Sequence, residues 1–357
     1  MRILSVVGAR PQFVKLAPIH HELVTAGHEH LIIHTGQHYD QNMSDIFFSD
    51  LGIAKPDENL HVGSGSHAAQ TAAMMVGLET SFLLHNPDWV LAYGDTNSTL
   101  AAAIAAVKIQ QPLAHLEAGL RSHNYLMPEE HNRVLTDHSA DLLLAPTKVA
   151  MQHLLNEGLG DRAVLVGDVM ADVCFQTRDR VSKDQPVMPE GWRENTDYLI
   201  ATIHRQENTD NPVRLKMILD YLGTSSRSVR LLAHPRLKQK AREASISLDN
   251  GSVQSFDPLS YPQLVHAVMR SKGVITDSGG LQKESFLLRV PCITVRSETE
   301  WPETLAGGWN TLVPDCAQIV DDIFSEERSP LDDQPYGDGN AASACVLEME
   351  RSLANRG

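Results

Sequence analysis

Short apolar runs alternate with longer stretches of helical period along almost the whole chain. Runs at 2–7, 30–34, 88–92, 112–116 and 141–144 predict buried strands, and the pattern resumes at 163–166, 197–202, 229–232, 252–255, 273–276 and 291–295. Between most of them apolar residues recur at helical spacing, as at 11–26, 66–84, 96–109 and 129–138. Strand-then-helix order of this kind predicts an α/β protein with parallel sheets covered by helices on both faces. No repeat of fixed period and no low-complexity tract interrupts it.

A change of character falls near VGDVMADVCF (166–175), where the first α/β set ends and a charged, proline-bearing segment (179–196) precedes the next strand. The stretch SEERSPLDDQPYGDGN (325–340) is polar and turn-rich, and 341–354 turns helical again. At 357 residues the chain suits two domains. The expected division is a Rossmann-like domain at 1–168 and a second at 169–340, with the C-terminal segment 341–357 packing back on the first. Two such domains imply a cleft between them. Ligands of open parallel sheets sit beyond the carboxyl ends of the strands, so the residues there are the candidates for chemistry.

Those ends carry charge. After the first strand comes GARPQFVK, with Arg10 and Lys15; WVLAY runs into GDTNST, with Asp95. PLAHL runs into EAGLRS, with Glu117 and Arg121, and MPEEHNR opens a helix with Glu129, Glu130 and Arg133. In the second half LIATI ends in HRQEN with His204, RLLA ends in HPR, and GVIT ends in the turn TDSGG. Singly, Asp95 is a helix cap, Glu117 and Arg121 a salt bridge, and Glu129 the first-turn carboxylate of a helix. Jointly they are what acid–base chemistry on a phosphorylated substrate needs, with carboxylates facing an anion site and a histidine. The Ser278-Gly279-Gly280 turn has two readings. It is either a strand-to-helix turn capped by Ser or Asp, or a phosphate site made by bare backbone N–H groups at a helix N-terminus.

Composition narrows the partners. The chain is 42% hydrophobic and 21% charged, as soluble globular proteins are, and its formal net charge is −15. That charge argues against nucleic acid or an anionic membrane. MRILSVVGAR reads as a first strand rather than a signal peptide, and LAAAIAAV (100–107) is too short to span a membrane. Four scattered cysteines (Cys174, Cys292, Cys316, Cys345) with no C-x-x-C pair read as reduced thiols of a cytoplasmic protein. His115, His123 and His131 fit no metal signature, since H-E-x-x-H and H-x-E with P-C-x-x-C are both absent. His115 reads as a hydrogen-bonded core histidine. The first turn lacks G-x-G-x-x-G, so neither a metal nor a dinucleotide cofactor is expected.

The motifs GARPQFVKLAP, HTGQHYD, YGDTNST, HLEAGLRS, PEEHNR, TIHRQEN, TDSGGLQKES and ETEWPE occur in the order found in the non-hydrolysing UDP-N-acetylglucosamine 2-epimerases. The resemblance spans roughly residues 1–315. It implies two Rossmann-like domains facing a cleft, the fold shared with GT-B glycosyltransferases. The activity it implies is interconversion of UDP-N-acetylglucosamine and UDP-N-acetylmannosamine, by elimination and re-addition of UDP through a 2-acetamidoglucal, usually to supply envelope polysaccharides. Carried over by motif, Asp95, Glu117 and Glu129 form the acid–base set, and His204 lies by the diphosphate. Arg10, Ser278, Gly279, Gly280 and Glu284 bind UDP, with Glu284 at the ribose; Lys15 and Trp301 join the substrate residues. A homodimer without cofactor is implied as well. Two departures stand out: GARPQ replaces the usual G-T-R-P-E, and Trp301 replaces arginine in T-E-R-P-E. Both resemble relatives that epimerise UDP-2,3-diacetamido-2,3-dideoxy-glucuronic acid. The segment GSGSHAAQT (63–71) also differs from the glutamine-bearing one of enzymes activated by their own substrate. The rivals are a GT-B glycosyltransferase using a UDP-sugar donor, which needs an acceptor, and a sugar-nucleotide sensor, which needs no converging carboxylates.

Overall fold

The computed structural model describes residues 1–37, 53–193, 197–316, 320–325, 327–330 and 334–356, the Arg10 side chain excepted. The chain divides into two compact units, Met1–Val173 with Gln334–Gly357, and Cys174–Asp333.

In the first unit the chain runs β1 (Arg2–Val7), α1 (Arg10–Thr25), β2 (Glu29–His34), β3 (Glu58–Asn59), α2 (His67–His85), β4 (Trp89–Tyr93) and α3 (Asn97–Lys108). It continues through β5 (Leu113–Leu116), α4 (Pro128–Ser139), β6 (Leu142–Ala145), α5 (Lys148–Asn156), β7 (Ala163–Leu165) and the start of α6 (Val169–Lys183), a helix whose residues from Cys174 on belong to the second unit. The seven strands form one parallel sheet in the order β3-β2-β1-β4-β5-β6-β7. Successive strand residues feed two different cores. Ile3, Val7, Leu91, Tyr93, Ala114 and Leu116 join the α1 side, while Leu4, Val6, Val90, Ala92 and Leu113 join the α2 and α3 side. That is why the strands read as unbroken apolar runs rather than as alternations. Strand order reverses between β1 and β4, which is where a sheet of this kind opens a crevice at its carboxyl edge.

The second unit runs β8 (Tyr198–Thr202), α7 (Gln206–Thr209), α8 (Pro212–Gly223), β9 (Ser228–Leu232), α9 (Pro235–Glu243), β10 (Val253–Phe256) and α10 (Tyr261–Arg270). Then follow β11 (Gly273–Thr276), α11 (Gly279–Leu287), β12 (Cys292–Thr294), β13 (Asn310–Leu312) and α12 (Val320–Ser325). Its six strands are also parallel, in the order β10-β9-β8-β11-β12-β13, with the reversal between β8 and β11.

Every strand expected from the sequence forms, with ends displaced by no more than one residue. β3 and β13 were not expected. Two or three residues are too few to show a period, and both strands lie at sheet margins. The division between units falls at 173/174 and 333/334, not at 168/169 and 340/341. The physical reason is a strap ahead of α13 (Ala341–Ala354). Tyr336 is fully buried, its carbonyl accepts from Asp168 N at 2.9 Å, and the Asp172 carboxylate accepts from Ala341 N and Ala342 N at 3.0 and 2.7 Å. Asp172 thereby caps α13 at its positive end. Ala341, Cys345, Val346 and Met349 then enter the α1-side core.

Candidate active site

The carboxyl edge of the first sheet collects charge. β4 runs into Gly94 and Asp95, β5 into Glu117, and Lys15 reaches in from the second turn of α1. The Lys15 ammonium bonds Glu117 Oε2, with both side chains largely buried. A Cβ on Gly94 would meet Glu117 Oε2 at 3.3 Å and Lys15 Nζ at 3.4 Å, so the glycine makes room for this pair. Burial alone would lower the Lys15 pKa; the facing Glu117, helped by Asp95 and Asp168, raises it, so the ammonium stays charged. Glu117 itself has φ +73°, left-handed backbone that a side-chain-bearing residue adopts only when its surroundings enforce it.

Asp95 is held by α4. Arg133 Nε and Nη2 donate to Asp95 Oδ2 at 3.0 and 2.6 Å, and Asn132 Nδ2 donates to the Asp95 carbonyl at 2.8 Å. Arg133 Nη1 also donates to Glu130, a fully buried carboxylate. Glu130 further accepts from Ser122 N and His123 N at 3.0 and 2.9 Å. Burial would raise its pKa, but these donors hold it below the usual range. Glu129, one residue earlier, is partly buried and makes no ion pair with a described residue. A cavity of about 610 Å³ beside this region is lined by His67, Asn97, Tyr125, Leu126, His131 and Asn132, among others.

In the second unit Asp277, from TDSGG, is a fully buried hub. It accepts from His204 N, Arg205 N and Asn208 Nδ2 at 2.9–3.1 Å, and His204 Nδ1 lies 3.2 Å from its Oδ1. Burial would raise the Asp277 pKa, but His204 and these donors hold it low. The His204 side chain is 41% exposed. Ser278 caps α11, its Oγ accepting from Leu281 N at 3.4 Å. Gly279 and Gly280 lead that helix, and neither has positive φ. Backbone angle therefore does not require glycine there. A Cβ on Gly279 would sit 3.5 Å from Glu300 Oε2 and 3.6 Å from Trp301 Nε1, ordinary contact distances. What the glycines provide is bare backbone at a helix N-terminus. Trp301 is buried, with Lys283 Nζ 3.8 Å from its ring centroid. Glu300 accepts from Arg296 at 2.8 and 3.0 Å and from Arg205 at 3.4 Å; burial would raise its pKa, and the guanidinium of Arg296 pulls it down to about 2. Glu284 is buried within α11 near the Tyr261 hydroxyl and Cys174.

The structure thus gathers Asp95, Glu117 and Lys15 at one sheet edge, and His204, Ser278, Gly279, Gly280 and Trp301 around the other. The Arg10 side chain and residues 38–40 of HTGQHYD lie outside the described residues. The Glu117–Arg121 salt bridge does not form. Glu117 takes Lys15, while Arg121 pairs with Asp137 and Glu157. Sequence reasoning did not select Asp137, Lys283, Arg296 or Glu300. Lys283 and Glu300 lie inside the motifs TDSGGLQKES and ETEWPE, while Asp137 and Arg296 stand out only as buried charge, which shows once burial is known. Among the described residues no group of three His, Cys, Asp or Glu side chains is arranged to hold a metal.

The UDP-N-acetylglucosamine 2-epimerase family model matches residues 21–349. The chain is 43% identical over 356 residues to the UDP-2,3-diacetamido-2,3-dideoxy-D-glucuronate 2-epimerase of Pseudomonas aeruginosa, covering 96% of this chain and 98% of that one. It is 41% identical over 359 residues to a UDP-N-acetylglucosamine 2-epimerase homolog of Methanococcus maripaludis, covering 99% and 100%. The crystal structure of Methanocaldococcus jannaschii UDP-GlcNAc 2-epimerase in complex with UDP-GlcNAc and UDP aligns with a TM-score of 0.85 at 35% identity, covering 98% of this chain and 100% of that chain. Two parallel α/β sheets of this order are the fold of that GT-B-like class of sugar-nucleotide enzymes. The chain belongs to the UDP-N-acetylglucosamine 2-epimerase family. It is an isomerase, and its reaction is epimerisation at C2.

Proposed function

We propose that the protein interconverts UDP-N-acetylglucosamine and UDP-N-acetylmannosamine, with Asp95, Glu117 and Glu129 moving the C2 proton. The observation that supports this most directly is the Lys15–Glu117 pair beside Asp95, with Glu117 held in left-handed backbone at the end of β5. The C2 hydrogen of the sugar is not acidic, because no adjacent carbonyl takes up the charge. Elimination solves that problem. A carboxylate takes the C2 proton, its C–H electron pair becomes the C1–C2 double bond, and the C1–O bond breaks with its pair leaving on UDP. The product is a 2-acetamidoglucal. UDP then adds back at C1 while a proton reaches the opposite face of C2, so atoms and charges balance with no oxidant and no metal.

The leaving group has to stay bound between the two steps. In this reading the diphosphate rests on the N–H groups of Ser278, Gly279 and Gly280 with Arg10 and His204, and Glu284 holds the ribose. Lys15 holds Glu117 in place through their ion pair. A second substrate, UDP-2,3-diacetamido-2,3-dideoxy-glucuronic acid, is favoured by Trp301 in the ETEWPE motif and by the 43% identity to an enzyme named for it. We further propose a cytoplasmic homodimer that supplies cell-envelope polysaccharide precursors. Its cysteines are free thiols, in keeping with a reducing compartment.

The test is NMR of the purified protein in D2O with each sugar nucleotide alone. The expected result is the C2 epimer with deuterium at C2, unaffected by chelator. Epimer without deuterium would overturn the proton-transfer reading. Asp95→Asn, Glu117→Gln and Glu129→Gln should each lower turnover by about 10²-fold or more while UDP affinity holds. Near-parent turnover in all three would overturn the carboxylate assignment.

A further inference from the structure

Behind the first-unit carboxylates lies a buried polar network for which the reaction as described has no use. His115, on β5, is fully buried, as is Asp137 on α4. His115 Nδ1 lies 2.6 Å from Asp137 Oδ1, and Nε2 lies 2.7 Å from the Gly94 carbonyl. A backbone carbonyl can only accept, and the Asp137 carboxylate already accepts from Gly119 N at 3.0 Å and Arg121 Nη1 at 2.7 Å. With Asp137 ionised, as its pairing with Arg121 favours, both contacts are satisfied together by a ring that carries a proton on each nitrogen. Charge then balances locally. Arg121 and the His115 ring face Asp137 and Glu157, and Arg121 grips Glu157 at 2.7 and 2.8 Å.

The two ends of this network are the two turns that matter. Gly94 immediately precedes Asp95. Gly119 follows Glu117 by two residues and has φ +82°, so the turn makes two left-handed residues around Ala118. Such a turn relaxes unless several contacts fix it. Glu117 N and Ala118 N both reach the Leu144 carbonyl at 3.2 Å, and His153 bonds the Gly119 carbonyl at 2.9 Å. Those contacts tie the turn to β6 and α5. The His115–Asp137 pair ties it to the Asp95 turn as well, through Gly94 on one side and Gly119 on the other, beside the bond from Gly94 N to the Leu116 carbonyl at 3.1 Å and the Arg133–Glu130 bridge from Asp95 to the 122–123 turn.

We propose that His115 and Asp137 are positioning residues that fix the Asp95 turn and the Glu117 turn relative to each other. The proposal rests on the reading of Asp95 and Glu117 as acid–base carboxylates. A buried ion pair of this kind contributes little net stability compared with an apolar pair of the same shape. What it supplies is a side-chain brace between two turns that leave neighbouring strands, added to the strand pairing up to Tyr93 and Leu116, and misplacement on the order of 1 Å costs about 10²-fold in rate.

The experiment compares His115→Gln, His115→Leu, Asp137→Asn and Glu117→Gln with the parent, measuring kcat, KM, UDP affinity and thermal unfolding. The expected result for His115→Gln and Asp137→Asn is a fall in kcat of about 10- to 100-fold, with KM and UDP affinity within about threefold. His115→Gln, which keeps one donor, should be faster than His115→Leu. In the unaltered protein, ¹⁵N-histidine NMR should show one imidazole with two slowly exchanging N–H protons, a readout that does not depend on any variant folding. Parent-like kcat in folded His115→Gln and Asp137→Asn, with Glu117→Gln inactive, would overturn the positioning role alone. A fully active Glu117→Gln would overturn the carboxylate reading and this proposal with it. The absence of a doubly protonated, slowly exchanging imidazole would also overturn the proposal.

Discussion

Glycines 94 and 279 sit at equivalent places, just beyond a strand at each sheet's switch point, yet they are glycine for different reasons. Gly94 has φ +63° and a Cβ there would press on the Lys15–Glu117 pair. Gly94→Ala is expected to cost about 1–2 kcal/mol in backbone strain and to displace Glu117, lowering both unfolding midpoint and turnover. Gly279 has an ordinary φ, and a Cβ there would meet its neighbours at no closer than ordinary contact distance. Gly279→Ala should therefore fold as well as the parent, while a methyl group at the approach to the helix N-terminus weakens UDP by about tenfold. Calorimetry of UDP binding together with thermal unfolding separates the two glycines. A Gly279→Ala protein that is destabilised but binds UDP normally would show that the glycine serves packing and not the ligand. The TDSGG motif was legible in the sequence because adjacent glycines after an apolar run are rare. The sign of φ was not, because that depends on where the next element packs.

The helix α4 shows where period stops being informative. Its extent was readable from residues 129–138, but its buried face was not. Its buried charged residues are Glu130, Arg133 and Asp137, at i, i+3 and i+7, and a hydropathy pattern assigns such a stripe to solvent. They are buried because each is paired, with Asp95, with the 122–123 turn, or with His115. This makes α4 a scaffold of charge, and it fails differently from an apolar helix. Arg133→Met removes the cation from two carboxylates at once and is expected to lose about 3–5 kcal/mol in denaturant unfolding. Adding Glu130→Gln should recover part of that loss, because one stranded charge is gone. If the double variant is less stable than the sum of the two single changes, the pairing account of α4 is wrong.

For the molecule as a whole, both sheets and their order of elements followed from the alternation of runs. The limits of the units did not, because the strap at 334–340 belongs with the first unit through Tyr336 and Asp172, contacts across a long sequence separation. That region also sets up a contest over pH. Asp172 is pushed up to about 6, by burial first and by the neighbouring Asp168 and Asp338. Its protonated form favours the fold, so acidification through pH 6 relieves a penalty. His30 and His34 act in the opposite direction. Burial, with a neighbouring histidine in each case, lowers them to about 3 and about 4 from an ordinary 6.5. They are neutral when folded and take up protons when unfolded, so their stabilisation is complete above pH 6.5 and is lost as pH falls toward 4. Two shifts of that size outweigh the single one at Asp172. The fading repulsion of a −15 surface is a small, salt-screened correction. Below about pH 4, Glu130, Asp137, Asp277 and Glu300, all held low in the folded state, add a second loss in the same direction. The thermal unfolding midpoint should therefore fall steadily from pH 6.5 downward. His30→Gln should flatten the profile between pH 6.5 and 4.5. A parent profile that is level from pH 7 to pH 5 would mean that the buried histidines accept protons without disturbing the fold.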